Sequence, residues 1–219
     1  MTVQTPGGPQ PSRSTFTKAI LAVAGIALFF AFISLGTWQV QRRAWKLDLI
    51  ERVNERVHSQ PVAVPAQPVW PQVKPETHEY LAVQAQGQWM EGRSVLTQAV
   101  TELGAGFWLV TPLLQADGTQ LLVNRGFIPA EQRKAWQQRI AVAPKSAAGD
   151  EVQVVGLLRF SEPQGGFMRD NAPEEDRWHS RDVSAIAKAK GLKQVAPFFV
   201  DQGIPGQTTE QTWPRAGLT

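Results

Sequence analysis

The stretch RDNAPEEDRWHSRD, residues 169–182, is the most suggestive cluster of reactive side chains in the chain. On a helix, Glu175 and His179 would share a face at i, i+4, a spacing at which two side chains hold one metal ion. With Asp170 they define one reading, a membrane-tethered, metal-dependent hydrolase. Pro173 and the surrounding turn formers argue for the other, an acidic loop that faces water. His58 and His78, the remaining imidazoles, lie at ligand spacing neither from each other nor from His179.

Other chemistry is sparse. The sequence holds no Walker loop, no H-E-x-x-H, no G-x-S-x-G and no dinucleotide fingerprint in register with a strand. Gly104-Ala105-Gly106 precedes a strand, so it offers phosphate no helix N-terminus. Cysteine is absent, which excludes disulfides, thiolate metal sites, c-type haem attachment and a lipoprotein anchor on this chain. Arg125 has two readings. It is an internally paired guanidinium locking a hairpin, or a docking point for an anionic ligand such as a propionate.

The elements that position these residues follow from periodicity. From Tyr80 onward the pattern has period two, and EYLAVQAQGQWM and SVLTQAV read as short strands. FWLVTPLL and QLLVNRGFI flank Asp117-Gly118, a strong hairpin signal. A two-residue turn there pairs Leu114 with Leu121, Thr111 with Asn124, Val110 with Arg125, Leu109 with Gly126 and Trp108 with Phe127. It puts Arg125 on the face of Trp108, Val110 and Phe127. It also sets Pro112 opposite Val123, where a missing N–H predicts an edge or a bulge. Phe107 and Trp108 read as sheet core. AEQRKAWQQRI is helical in propensity, VQVVGLLRF is a strand, DVSAIAKAKG a helix with a Gly C-cap, and PFFVD a last strand. Together they indicate an α+β domain dominated by antiparallel sheet over 79–201.

Upstream, no charge falls between Lys18 and Arg42. ILAVAGIALFFAFISL carries ten Ile, Leu, Val or Phe residues, together favouring bilayer insertion by roughly 3–6 kcal/mol. From Thr17 to Trp38 a helix measures about 33 Å, enough for the hydrocarbon core. Trp38 then sits at headgroup level, with Arg42, Arg43 and Lys46 snorkelling into membrane lipid phosphates. The run exceeds a signal-peptide core and no A-x-A site follows, so it reads as an uncleaved anchor over 17–40. Counting basic residues alone would leave the following domain in the cytoplasm. Residues 1–16 read as a disordered polar tail, 41–58 as an amphipathic helix with Trp45, Leu49, Val53 and Val57 on one stripe, and 59–78 as an extended Pro-rich connector. The net charge of +3 over 219 residues, with no recognised module, points away from nucleic acid.

LGTWQVQRRAWKLDLIERV, GFWLVTPLL, DG, LLVNRGFIP, VVGLLRF, RDNAP and PFFVD, in that order, resemble the surfeit locus protein 1 family of cytochrome c oxidase assembly factors. The motif residues are Gly36, Trp38, Gln39, Arg42, Thr111, Pro112, Asn124, Arg125, Gly126, Pro129 and Asn171; Phe127 stands where the family pattern suggests Trp. The resemblance implies an extracytoplasmic domain between two transmembrane helices, facing the periplasm from the bacterial inner membrane. It implies oxidase subunit I and a haem a synthase as partners, haem a as a transient cofactor, and no catalysis. A structural adaptor subunit of the oxidase is the remaining alternative. Residues 202–219 read as a tail leading toward the family's second span, which carries its proposed haem-ligating histidine and is not in this sequence. No ligand is therefore carried over, and Trp38, Gln39 and Arg125 are the candidate haem contacts.

Overall fold

The computed structural model describes residues 15–163, 169–206 and 212–217. It divides into two compact units between Arg52 and Val53. Helix α1, Thr15–Val57, runs through the apolar segment and the basic stretch beyond it. Its portion Thr17–Leu47 is long and apolar enough to cross a membrane. Phe29, Phe30 and Phe32 are each more than half exposed, an arrangement that water penalises and lipid does not. A helix of membrane-spanning length is therefore present where the anchor is expected, and it continues into the basic stretch.

The second unit is the expected sheet-rich domain. Its strands are β1 Val62–Ala63, β2 Ala82–Trp89, β3 Val95–Thr101, β4 Gly104–Leu114, β5 Gln120–Pro129, β6 Val152–Phe160 and β7 Val195–Gln202. The order β1-β2-β6-β7-β5-β4-β3 would be an open sheet, but the end of β2 also pairs with the end of β4, Gln88 with Leu114 and Trp89 with Leu113. The sheet thus closes into a barrel of five strands, which removes most free edges. All the pairings are antiparallel except β1 with β2 and β5 with β7. Alternate residues of all five closing strands fill one cluster, among them Val83, Leu113, Val123, Leu158 and Phe198. Burying each such side chain contributes about 1.5–3 kcal/mol.

The outer faces are covered by helices. Helix α3, Arg133–Val142, lays Trp136 and Ile140 on Leu96, Phe107, Leu109 and Ile128. Helix α4, Val183–Lys190, and Trp178 cover Val95, Val110, Leu122 and Phe199. The Asp182 carboxylate caps α4 by accepting from the amides of Ser184 at 2.9 Å and Ala185 at 3.1 Å. Asp182→Ala is expected to cost about 1 kcal/mol, read as a lowered thermal midpoint with unchanged far-ultraviolet circular dichroism.

Three local expectations are corrected. The Asp117-Gly118 turn is a three-residue loop, in which Gly118 donates to the Gln115 carbonyl and Gln115 to that of Thr119, at 3.0 and 2.9 Å. Gly118 takes φ +83°, the left-handed residue that follows a type I turn in such loops. The register slips by one: Leu114 faces Gln120, Thr111 faces Val123 and Val110 faces Asn124. A bulge then sets Arg125 and Gly126 together opposite Leu109, so Trp108 meets Phe127 as expected. The Thr119 hydroxyl and amide donate to Asp117 at 2.6 and 2.9 Å and hold its carboxyl below the usual 3.8. That contribution is present above the unfolded value and fades as pH falls through the folded one.

Pro112 is the second correction. It faces Leu122 with no bulge, at the point where β4 leaves β3, last paired at Val110, for β2, first paired at Leu113. The missing N–H falls in that gap, and the carbonyl accepts from Met90 at 2.9 Å. The third concerns Pro61–Glu76, which is no extended spacer. It forms β1, a 3-10 turn over Gln67–Gln72 and the short helix α2, Pro75–His78. Trp70 packs edge-on to Phe198, centroids 6.4 Å apart, and donates to the Pro65 carbonyl at 2.9 Å. Proline rings preset the backbone for that turn as readily as for an extended chain.

Candidate functional site

Two apolar strands each carry one charge in the position before their last residue: Arg159 in VVGLLRF and Asp201 in PFFVD. The β6–β7 pairing brings these ends together, and β7 lies beside β5 with Asp201 opposite Asn124. The Asp201 carboxylate, 5% exposed, receives three donors. Asn124 Nδ2 and Arg181 Nη1 reach Oδ1 at 2.7 and 2.9 Å, and Arg159 Nη1 reaches Oδ2 at 3.0 Å. Glu162 takes Arg181 on both oxygens, at 2.7 and 2.9 Å, and Arg159 at 3.3 Å. Glu79 takes Arg159 Nε at 2.8 Å. The guanidinium of Arg159 stacks on Tyr80 and that of Arg181 on Phe199. Burial alone would weaken the proton affinity of Arg159; Asp201, Tyr80 and Glu79 outweigh it and hold the group above its usual range. A buried carboxylate is tolerated only when paired and hydrogen-bonded in this way.

The network reaches the root of α1. Arg56 donates to the carbonyls of Glu76 at 2.6 Å and Glu79 at 3.3 Å. Val57 packs with Ala82, Leu157 and Ile204. On the other flank, Asn124 Oδ1 accepts from the Gly126 amide at 3.1 Å and fixes the bulge. The bulge diverts β5 after its last pairing with β7, and Phe127 exchanges both backbone hydrogen bonds with Arg215 instead. Residues 212–217 therefore fold back on the domain, Trp213 edge-on to Phe127 with centroids 6.1 Å apart. For residues 212–217 this return corrects the tail expected over 202–219.

The bulge also corrects Arg125. It lies on the α3 face with Leu109 and Ile140, not with Trp108, Val110 and Phe127. There it pairs with Glu91 at 3.2 Å and stacks 4.6 Å over the Trp89 ring. Burial and the charge of Arg139 lower its proton affinity against Glu91.

The other candidates are dispersed. Glu175 pairs with Arg177 at 2.6 Å, while His179 Nδ1 meets Gln98 Oε1 at 2.8 Å. Glu175 lies in a 3-10 turn, Pro173–Glu175, so the shared helical face does not form. Among the described residues no three of His, Cys, Asp and Glu are grouped to hold a metal. Asn171 is a loop brace: its Oδ1 accepts from the amides of His179 and Ser180 at 2.7 and 3.0 Å. Thr111 is buried against Ser94, oxygens 2.9 Å apart, and Pro129 ends β5. Gly36, Trp38, Gln39 and Arg42 lie on α1, all exposed, with the Arg42 guanidinium 5.4 Å over the Trp38 ring. Glu79, Arg159, Glu162, Arg181 and Asp201 were not singled out as site residues from sequence. The available signal was a single charge near the end of an apolar strand.

A membrane-length helix and a small closed barrel braced by one buried ionic network define the class. The SURF1 family model matches residues 26–217, and the chain belongs to that family. It is 31% identical to surfeit locus protein 1 of Homo sapiens over 224 residues, 94% of this chain and 68% of that protein. The Xenopus tropicalis relative is 30% identical, covering 90% of this chain and 66% of its own length. The Mus musculus relative is 34% identical, with 76% and 56% covered. The chain thus spans between about half and two thirds of these relatives.

Proposed function

We propose that this chain is an assembly factor for cytochrome c oxidase that assists delivery or insertion of haem a into subunit I, without catalysis of its own. Family membership over residues 26–217 carries the reading, and the anchor helix supports work at a membrane. The motif residues Asn124, Gly126 and Asn171 brace backbone, one another or the Asp201 carboxylate, as befits a scaffold that presents surfaces. Haem a is cargo in this reading. The boundary Ile33–Lys46 holds no His, Met or Cys, so Trp38 and Gln39 would offer a stacking ring and an amide rather than an axial ligand. We place the domain in the periplasm, tethered to the bacterial inner membrane, where subunit I and a haem a synthase are its partners.

Deletion of the protein, followed by haem analysis of the residual oxidase, tests this. The expected result is a fall in haem a per subunit I, restored by the full chain; unchanged haem a content refutes the proposal. Protease added to intact spheroplasts is expected to cleave the domain, and cleavage only after lysis refutes the placement.

A further inference from the structure

The bulge that turns Arg125 onto the α3 face brings it beside a second guanidinium. Arg139 stacks 4.9 Å over Trp136 and, among the described residues, has no carboxylate within ion-pair distance. Arg125 and Arg139 line one void of about 10 Å³ with Glu91, Ser94 and Trp136. That is room for about one water-sized group. Glu91 is the single carboxylate there; it meets Arg125 through one oxygen at 3.2 Å, and its side chain is 36% exposed. Two guanidiniums beside a single carboxylate, which pairs with only one of them, leave an excess of positive charge and unused fork donors. Glu91 and Trp89 also line an adjoining open groove of about 390 Å³, with Pro144, Gly149, Val152 and Asp150, a volume in the range of ligand pockets. The Asp150 carboxylate there favours an uncharged occupant of the groove over a second negative charge.

We propose that this cleft binds the carboxylate or phosphate group of a small anion between Arg125 and Arg139, with a flat, uncharged body lying in the groove along Trp89. Glu91 is then the internal competitor for the same donors, displaced toward solvent when the anion enters. This proposal is independent of the oxidase reading. It assigns Arg125 a second partner besides the one the structure already shows.

Calorimetric titration of the full chain in detergent micelles tests it, with benzoate, phenyl phosphate and inorganic phosphate as probes. The expected result is saturable one-to-one binding of at least one probe. Benzoate against phenyl phosphate distinguishes the two head groups, and inorganic phosphate shows what the flat body adds. Loss of a charge-assisted contact is expected to weaken binding about tenfold or more in Arg125→Gln and in Arg139→Gln. Glu91→Gln is expected to tighten it, an outcome that a purely structural ion pair does not produce. Absence of saturable binding by all three probes overturns the proposal. So does an affinity unmoved by Arg139→Gln, a solvent-exposed change that leaves the core intact, or one weakened by Glu91→Gln.

Discussion

Asp201→Asn is expected to destabilise the domain by about 3–5 kcal/mol, the usual cost of removing one partner from a buried ion pair. Asparagine matches the shape, yet the site needs two acceptor oxygens. Oδ1 receives Asn124 and Arg181, and Oδ2 receives Arg159. An amide keeps one oxygen and turns an NH2 group toward a guanidinium, so a repulsive contact replaces a charge-assisted hydrogen bond. Arg159 and Arg181 are each about 15% exposed or less, and water cannot fully take over. Glu162 still holds both arginines, but at 37% exposure its pairs are screened. Glu162→Gln is therefore expected to cost about 1 kcal/mol, less than the change at Asp201. Chemical unfolding of the full chain in detergent, followed by tryptophan emission, gives the order. Equal losses at the two positions would show that the buried carboxylate is not the centre of the network. A domain is stable by only about 5–15 kcal/mol, so Asp201→Asn is also expected to lower the folded yield.

What could be read from the sequence was local. β6 spans Val152–Phe160, the stretch chosen for its alternation and apolar run, and α4 lies between its Asp182 cap and Gly191. Strand alternation and helix caps need only neighbours within a few residues, so composition exposes them. Asp117-Gly118 marks the hairpin but does not decide its loop length, because the same dipeptide serves a two-residue turn and a three-residue loop ending in a left-handed glycine. That single residue of slip, undone by the bulge at Arg125-Gly126, decides which face Arg125 occupies. The ionic network was invisible for another reason. Glu79, Arg159 and Asp201 are brought together by the β2–β6–β7 part of the barrel, and no periodicity announces partners tens of residues apart. The Pro-rich segment misled because proline fixes φ without deciding whether a 3-10 turn or an extended chain follows; Trp70, docked on Phe198, decided it.

Gly126→Ala is expected to detach residues 212–217 from the barrel. Gly126 adopts φ +131°, outside the range of ordinary L-residues, and a methyl group there would lie 2.3 Å from the carbonyl carbon and oxygen of Arg215. Those are backbone atoms, which cannot swing aside as a long side chain would. Either β5 abandons the bulge or the returning segment lifts. Abandoning the bulge breaks the Asn124–Gly126 hydrogen bond and shifts Arg125 off Glu91; lifting sacrifices the two Phe127–Arg215 bonds and the Trp213 contact. Lifting leaves the Asp201 network intact, so the returning segment is expected to go. Backbone strain of about 1–3 kcal/mol at such a position drives it. Hydrogen exchange is expected to accelerate at the Phe127 and Arg215 amides while Val123 and Val200, within β5 and β7, keep their protection. A variant in which all four amides lose protection together would show that the returning segment and the barrel are one cooperative unit. A variant with none affected would show that the bulge can flatten, and that the glycine is not what holds the crossing open.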